Sequence, residues 1–163
     1  MQVLGSDDPP QVLAKRESGQ SRFSDLTLSP DQKTVIVSLN DEKSKQVWDI
    51  ETKQLLATIP LEKSNFTTAA FSPDGKVILL ATADSHLLLY DVRSGKLLRD
   101  INAYLFDPIM QEIYYTRAIF MPDGKHILMQ SSGLLNDIVA IWDSQTGQLV
   151  NQLCPPTLQY MQP

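Results

Sequence analysis

The two histidines, the single cysteine and a set of repeated aspartates are the residues of this chain that could support catalysis or bind a metal. His86 and His126 are the only histidines, and Cys154 is the only cysteine. No histidine or cysteine has a partner at the short spacing of a zinc site. No Gly-x-Ser-x-Gly segment exists to expose a nucleophilic serine. We therefore predict no metal, no cofactor and no enzymatic activity, and we interpret both histidines as structural or surface residues.

The aspartates recur with a period that argues against an active site. One set follows a proline, and the other follows an aromatic residue. Their members are Asp31, Asp74 and Asp123 in the first set, and Asp49, Asp91 and Asp143 in the second. Carboxylates at such places accept hydrogen bonds from backbone N–H groups in turns. An acid–base interpretation would make every repeat an active site, so we interpret these aspartates as structural.

Both sets belong to a sequence unit that occurs three times. The most regular copy reads Phe-Ser-Pro-Asp-Gly-Lys at residues 71–76 and continues with Tyr-Asp at residues 90–91. The other copies start near Leu28 and Phe120. Within each copy, short apolar runs separated by Pro, Gly and Asp turns predict four antiparallel strands. Units of this kind bury their apolar faces by stacking on their neighbours.

Two details of the repeat predict local structure. The continuous apolar run at residues 77–83 is typical of a strand that is buried on both faces. In the first copy the two turn glycines are replaced by Gln32 and Lys53. If those positions need a positive φ, each replacement costs about 1 kcal/mol.

The unit resembles the WD40 repeat, in which a Ser-Pro-Asp-Gly turn is followed by strands ending in Trp-Asp before a Thr-Gly turn. The resemblance extends over residues 11–153. The chain departs from the pattern because no Gly-His pair precedes any first strand and because Tyr90 replaces one tryptophan. WD40 repeats form the blades of β-propellers, which typically have 4 to 8 blades. Three full blades cannot close such a ring, so the resemblance implies a piece of a larger propeller or closure by several chains.

The implied fold class is all-β: a β-propeller fragment of three four-stranded antiparallel blades plus a stray strand from a preceding blade. The expected divisions are 1–22 for that last strand (11–15) and its connector, 23–60, 66–101 and 116–153 for the blades, 102–115 for an inserted loop or short helix, and 154–163 for a tail.

The insertion at residues 102–115 is apolar and aromatic, unlike a solvated loop. Asp-Pro at residues 107–108 is a good helix start, and Ile109 with Ile113 and Met110 with Tyr114 would be i,i+4 pairs. One interpretation is a helical turn that packs on its own blade, or a strand that begins early at Ile113. The other is a protrusion that binds a partner, because loops on rigid scaffolds carry recognition and aromatic residues and Met are favoured at interface cores.

The resemblance also implies that the connectors between blades share one face with those between second and third strands. The insertion would then lie beside residues 41–43, 84–85 and 133–136 in an apolar patch with an acidic rim. The candidate partner-binding residues are Tyr104, Leu105, Phe106, Ile109, Met110, Tyr114, Leu134 and Leu135.

Composition restricts the partners and the compartment. The net charge is −5 and the pI is about 4.9, so long-range electrostatics oppose binding to nucleic acid or anionic membranes. The basic residues at 15–16, 43 and 45 are interpreted as solvated surface. The chain start has no signal-peptide pattern, and the densest apolar stretch is too short to span a bilayer. With a lone cysteine that cannot form an internal disulfide, we expect a cytoplasmic protein.

The predicted function is a non-catalytic protein–protein interaction scaffold within a larger WD40 β-propeller. Its partners would be other proteins or peptides, with further blades from the parent chain or from other copies closing the ring. Two alternatives stay open. One is a sensor or substrate-positioning propeller of a multidomain enzyme or signalling protein, and the other is a bacterial surface or periplasmic propeller.

Overall fold

A computed structural model describes residues 23–39, 44–60, 66–104, 113–133 and 137–153. These residues form three sheets, each made of four consecutive antiparallel strands in sequence order. We call the sheets blades 1, 2 and 3. The strands of blade 1 are β1 (Phe23–Leu28), β2 (Thr34–Leu39), β3 (Ser44–Asp49) and β4 (Leu55–Pro60). Those of blade 2 are β5 (Phe66–Phe71), β6 (Val77–Thr82), β7 (His86–Asp91) and β8 (Leu97–Asn102). Those of blade 3 are β9 (Ile113–Phe120), β10 (His126–Gly133), β11 (Asp137–Asp143) and β12 (Leu149–Leu153).

In blades 1 and 2 the turn between the first two strands is closed by a serine and an aspartate. In blade 1 the Ser29 hydroxyl donates to Asp31 Oδ1 at 2.7 Å and accepts the backbone N–H of Thr34 at 2.9 Å. Ser72 and Asp74 form the same arrangement in blade 2. These side chains satisfy polar groups that the tight turn would otherwise leave unpaired.

Gln32 and Lys53 both have the positive φ that the missing glycines predict. Their φ angles are 60° and 59°, close to the 70° of Gly75 and the 64° of Gly95 at the same places in blade 2. A third non-glycine residue, Ser85, also has a positive φ, of 63°, which the repeat pattern does not predict. A side chain at these angles crowds the backbone, so each of the three turns stores strain.

The blades pack face to face through two apolar clusters. The cluster between blades 1 and 2 includes Ile78 and Leu80 of β6, whereas the cluster between blades 2 and 3 includes Leu79 and Ala81 of the same strand. The central strand of blade 2 is therefore buried on both faces, as its apolar run predicts. Full burial of one Ile or Leu contributes about 1.5–3 kcal/mol, so these two interfaces hold the blades together.

The outer faces of blades 1 and 3 have no blade against them among the described residues. Thr27 points toward blade 2, where its hydroxyl donates to the Ala69 carbonyl at 3.4 Å. Leu26 and Leu28 alternate with Thr27 and so lie on the opposite face, where they are 71% and 46% exposed. Ile119 of blade 3 is 44% exposed in the same way. Such apolar faces are what an incomplete propeller presents to its next blades.

The two ends of each blade form two surfaces. The turns between first and second strands and between third and fourth strands lie at one end, which we call the turn face. The links between second and third strands, and from one blade to the next, start from the other end, which we call the connector face. Pairs such as Ser44 with Pro60 mark the connector end of blade 1.

The structure departs from the sequence expectations at Lys45 and at the helical pairs considered for the insertion. Strand β9 begins at Ile113, so Ile113 and Tyr114 are extended and do not form the helical pairs considered above. Lys45 is only 7% exposed, so its interpretation as solvated surface is wrong. The stray strand expected at residues 11–15 lies outside the described residues.

Candidate interaction surface

Tyr104 is the candidate partner-binding residue whose side chain the structure describes. It is 47% exposed and directly follows Ala103, which is completely buried in the cluster between blades 2 and 3. The Ala103 N–H donates to the Ser85 carbonyl at 2.9 Å, and the Tyr104 N–H donates to Asn102 Oδ1 at 3.1 Å. The start of the insertion is therefore fastened to the second-to-third turn of its own blade, on the connector face.

The other candidate residues lie in β9 or outside the described residues. The backbone of Tyr114 lies in β9. Outside the described residues lie Leu105, Phe106, Ile109, Met110, Leu134 and Leu135.

His86 forms a histidine–aspartate pair near the connector face, but the pair lacks a nucleophile. Its Nδ1 lies 2.6 Å from Asp100 Oδ1, and the backbone N–H of His86 donates to Thr82 Oγ1 at 2.9 Å. The adjacent Ser85 hydroxyl is buried and has no hydrogen-bond partner in the described part of the chain. A serine nucleophile needs a base within hydrogen-bond reach, so this group is not arranged for acyl transfer.

His126 belongs to a turn. In blade 3 Met121 occupies the position of Ser29 and Ser72, so no hydroxyl is present there to donate to the aspartate of the turn. His126 contacts that aspartate instead. Its backbone N–H donates to Asp123 Oδ1 at 3.0 Å, and its Nδ1 lies 2.6 Å from Asp123 Oδ2. The hydrogen bond from His126 is the main cause that lowers the pKa of Asp123 to about 2. This pair completes a turn in the repeat that lacks the serine.

The other periodic aspartates show the same physical pattern. A hydroxyl from Ser72 lowers the pKa of Asp74, and a hydroxyl from Ser94 lowers that of Asp91. Backbone N–H groups lower the pKa of Asp49 and of Asp143. A general acid must hold its proton near neutral pH, and these carboxylates are shifted in the opposite direction. They therefore act as turn acceptors.

Lys45 is the buried charge of blade 1. Its Nζ donates to the Ser38 hydroxyl at 2.5 Å. Burial lowers the pKa of Lys45, and the charge of Asp25 partly opposes that shift. The equivalent residue of blade 2 is Leu87, which is completely buried. The interface between blades 1 and 2 thus contains a polar contact where the next interface is apolar.

Neither a metal centre nor a membrane span appears in the described segments. No group of three or more His, Cys, Asp or Glu side chains there could hold a metal ion. No helix within those segments is long and apolar enough to cross a bilayer.

Comparison with known proteins agrees with this architecture. The family described as the anaphase-promoting complex subunit 4 WD40 domain matches residues 37–106. Pre-mRNA-processing factor 19 of Caenorhabditis elegans is 28% identical over 141 residues, which are 86% of this chain and 27% of that protein. The WD repeat-containing protein AAC3 of Dictyostelium discoideum is 24% identical over 81% of this chain and 35% of its own length. The chain therefore spans about a quarter to a third of the length of these relatives.

The stacked four-stranded antiparallel sheets define the class of protein as a partial β-propeller. The repeated turns, the strand ends in Trp-Asp or Tyr-Asp and the matches to WD40 proteins identify the family as that of the WD40 repeat. The described part of the chain consists of three WD40-type blades.

Proposed function

We propose that this chain is a non-catalytic scaffold and that it contacts a partner protein through the connector face at residues 102–115. WD40 repeats in general serve protein interaction, and that coarse role applies to these blades. The observation that supports the finer proposal is the exposed ring of Tyr104 beside the buried anchor Ala103. An aromatic side chain that is held out from a rigid blade can contribute binding energy at low entropic cost.

Two observations among the described residues support the non-catalytic part. The Ser85 hydroxyl beside His86 has no hydrogen-bond partner there, and the Asp91 carboxylate accepts hydrogen bonds from Ser94 within a turn.

Alanine substitution tests the proposed surface. Photo-crosslinking from position 104 first identifies a partner, and its affinity is then measured by titration. We expect alanine at Tyr104, Phe106, Leu134 and Leu135 to weaken this affinity while the far-UV circular dichroism spectrum stays unchanged. Leu97→Ala is a matched control, because Leu97 is 51% exposed but lies at the turn-face end of β8. Loss of folding without a specific loss of affinity would contradict the proposal and favour packing of the insertion on its own blade.

A further inference from the structure

A groove opens on the turn face between blades 2 and 3. Its volume is about 520 Å³, within the range of small ligand sites. The walls come from the first turns of both blades, at Pro73 and Asp123, from the last turn of blade 3 at Ser144, and from Leu98 and Arg99 of β8. Most of these side chains are exposed, so the groove is open to solvent.

One difference between the repeats leaves space for the groove. Val92 directly follows β7 and is only 4% exposed, because it packs into the cluster between blades 1 and 2. Ser144 occupies the equivalent position after β11 and lines the groove instead. A hydroxymethyl group is smaller than an isopropyl group, so the space that a valine fills at one interface stays open at the next.

A second difference places a cation in the groove. Ala57 of β4 pairs with Val47, and Arg99 of β8 pairs with Leu89 at the same register. A Cβ atom built on Gly95 would meet the Ala57 Cβ at 3.0 Å, so that junction is tight. The corresponding junction of blades 2 and 3 holds the longer arginine side chain, whose Cδ lies near Gly147.

Arg99 is the charge in the lining that has no partner. Asp74 accepts the Ser72 hydroxyl at 2.7 Å and lies 3.8 Å from Lys76 Nζ. Asp123 is paired with His126 at 2.6 Å. In the described part of the chain, the Arg99 guanidinium makes neither a hydrogen bond nor an ion pair. Arg99 is therefore the charged group of the lining that is available to bind an anion.

We propose that this groove binds an extended peptide of a partner protein, in which a carboxylate side chain stands beside apolar residues. A guanidinium recognises a carboxylate through two parallel hydrogen bonds. The partly buried Val77 and Phe120 offer apolar contact next to it. A peptide suits the open groove better than a small molecule, which usually needs most of its surface buried. The groove is on the turn face, opposite Tyr104 on the connector face, so it does not depend on the proposed function above.

Peptide titration tests the charge preference on the unaltered 163-residue chain. The probe is a fluorescein-labelled pentapeptide of sequence Leu-Glu-Val-Glu-Leu, and binding is followed by fluorescence anisotropy. We expect a dissociation constant below about 1 mM. Gln in place of both Glu should weaken binding about ten-fold or more, because charged hydrogen bonds are lost. No binding at 1 mM, equal binding of both peptides, or preference for a Lys peptide would overturn the proposal; the last result would assign recognition to the two carboxylates.

Substitutions in the chain test the location. Arg99→Ala should weaken the acidic probe about ten-fold or more, and Ser144→Val should weaken it by filling the groove as Val92 does. Arg93→Ala is the matched control, since Arg93 is exposed on the turn after β7 and does not line the groove. Unchanged affinity for Arg99→Ala, or an equal loss for Arg93→Ala, would overturn the proposal. Circular dichroism checks the fold of each variant, and the comparison of peptides on the unaltered chain decides the matter if one fails to fold.

Discussion

Ser85 combines two unfavourable features in one residue, so its replacement by glycine should stabilise the protein. Its φ angle is 63° and its side chain is completely buried. Its hydroxyl has no hydrogen-bond partner among the described residues. The backbone contacts of the turn, from the Ser85 N–H to the Thr82 carbonyl and from the Ala103 N–H to the Ser85 carbonyl, do not involve the side chain. They are available to glycine in the same way.

Two substitutions separate the contributions of Ser85. A buried hydroxyl without a partner costs about 1–3 kcal/mol, so Ser85→Ala should raise the free energy of unfolding by about 1 kcal/mol. The left-handed backbone costs a residue with a Cβ roughly 1–2 kcal/mol, but glycine is more flexible in the unfolded chain. Ser85→Gly should therefore add about 0.5–1 kcal/mol to the alanine effect. Their sum is about 1.5–2 kcal/mol, or roughly 3–8 °C in melting temperature for a chain of this size.

Urea unfolding measures this difference. Tryptophan fluorescence and far-UV circular dichroism should give coincident transitions if unfolding is two-state. Ser94→Ala is the matched control, because the Ser94 hydroxyl donates to Asp91 Oδ1 at 2.7 Å and its loss should lower stability. If Ser85→Gly is no more stable than the original chain, the reasoning about both features fails. If the alanine and glycine variants are equally stable, only the backbone part fails.

Two further predictions concern the turns. Gln32→Gly and Lys53→Gly should each raise the free energy of unfolding by about 0.5–1 kcal/mol, because glycine relieves the positive φ but is more flexible in the unfolded chain; a loss of stability in urea unfolding would contradict this. The low pKa of Asp123 predicts a pH dependence of the free energy of unfolding. The pKa is about 2 in the folded chain and near the ordinary 3.8 in the unfolded chain, so the ionised carboxylate stabilises the fold above that range. We expect stability to fall as pH drops from about 4 towards 2, and Asp123→Asn to flatten that part of the profile; an unchanged profile for Asp123→Asn would refute the assignment.

The turns show what comparison of repeats can predict. Gln32 stands where Gly75 stands in the next repeat, so the sequence already indicated a positive φ. Ser85 gave no such signal, because none of the three copies has a glycine before its third strand. When none of the equivalent residues in the repeats is a glycine, comparison of the repeats gives no sign of a positive φ. Its backbone angle follows from the closure of the turn.

Lys45 shows a different limit. Lysine is seldom buried without a partner, and the sequence alone does not show which residue would be the partner of Lys45. A solvated position is therefore what the sequence predicts. The register of β2 and β3 places Lys45 opposite Ser38, on the face of the blade that meets blade 2. Only this strand pairing shows that the Ser38 hydroxyl accepts a hydrogen bond from Lys45 Nζ. The cost of burying a lysine could be predicted from the sequence, but its hydrogen-bond partner Ser38 could not.

The differences between repeats also indicate why the groove lies at this blade junction. Positions that are alike in every blade produce alike surfaces, and these cannot distinguish one side of a ring from another. Val92 and Ser144 occupy one register position, yet the first fills an interface and the second lines a groove. The change from Ala57 to Arg99 adds a charge to the same place. A groove that is both open and charged at one blade junction is therefore a property of the departures from the repeat, while the repeat itself supplies the rigid frame that holds them.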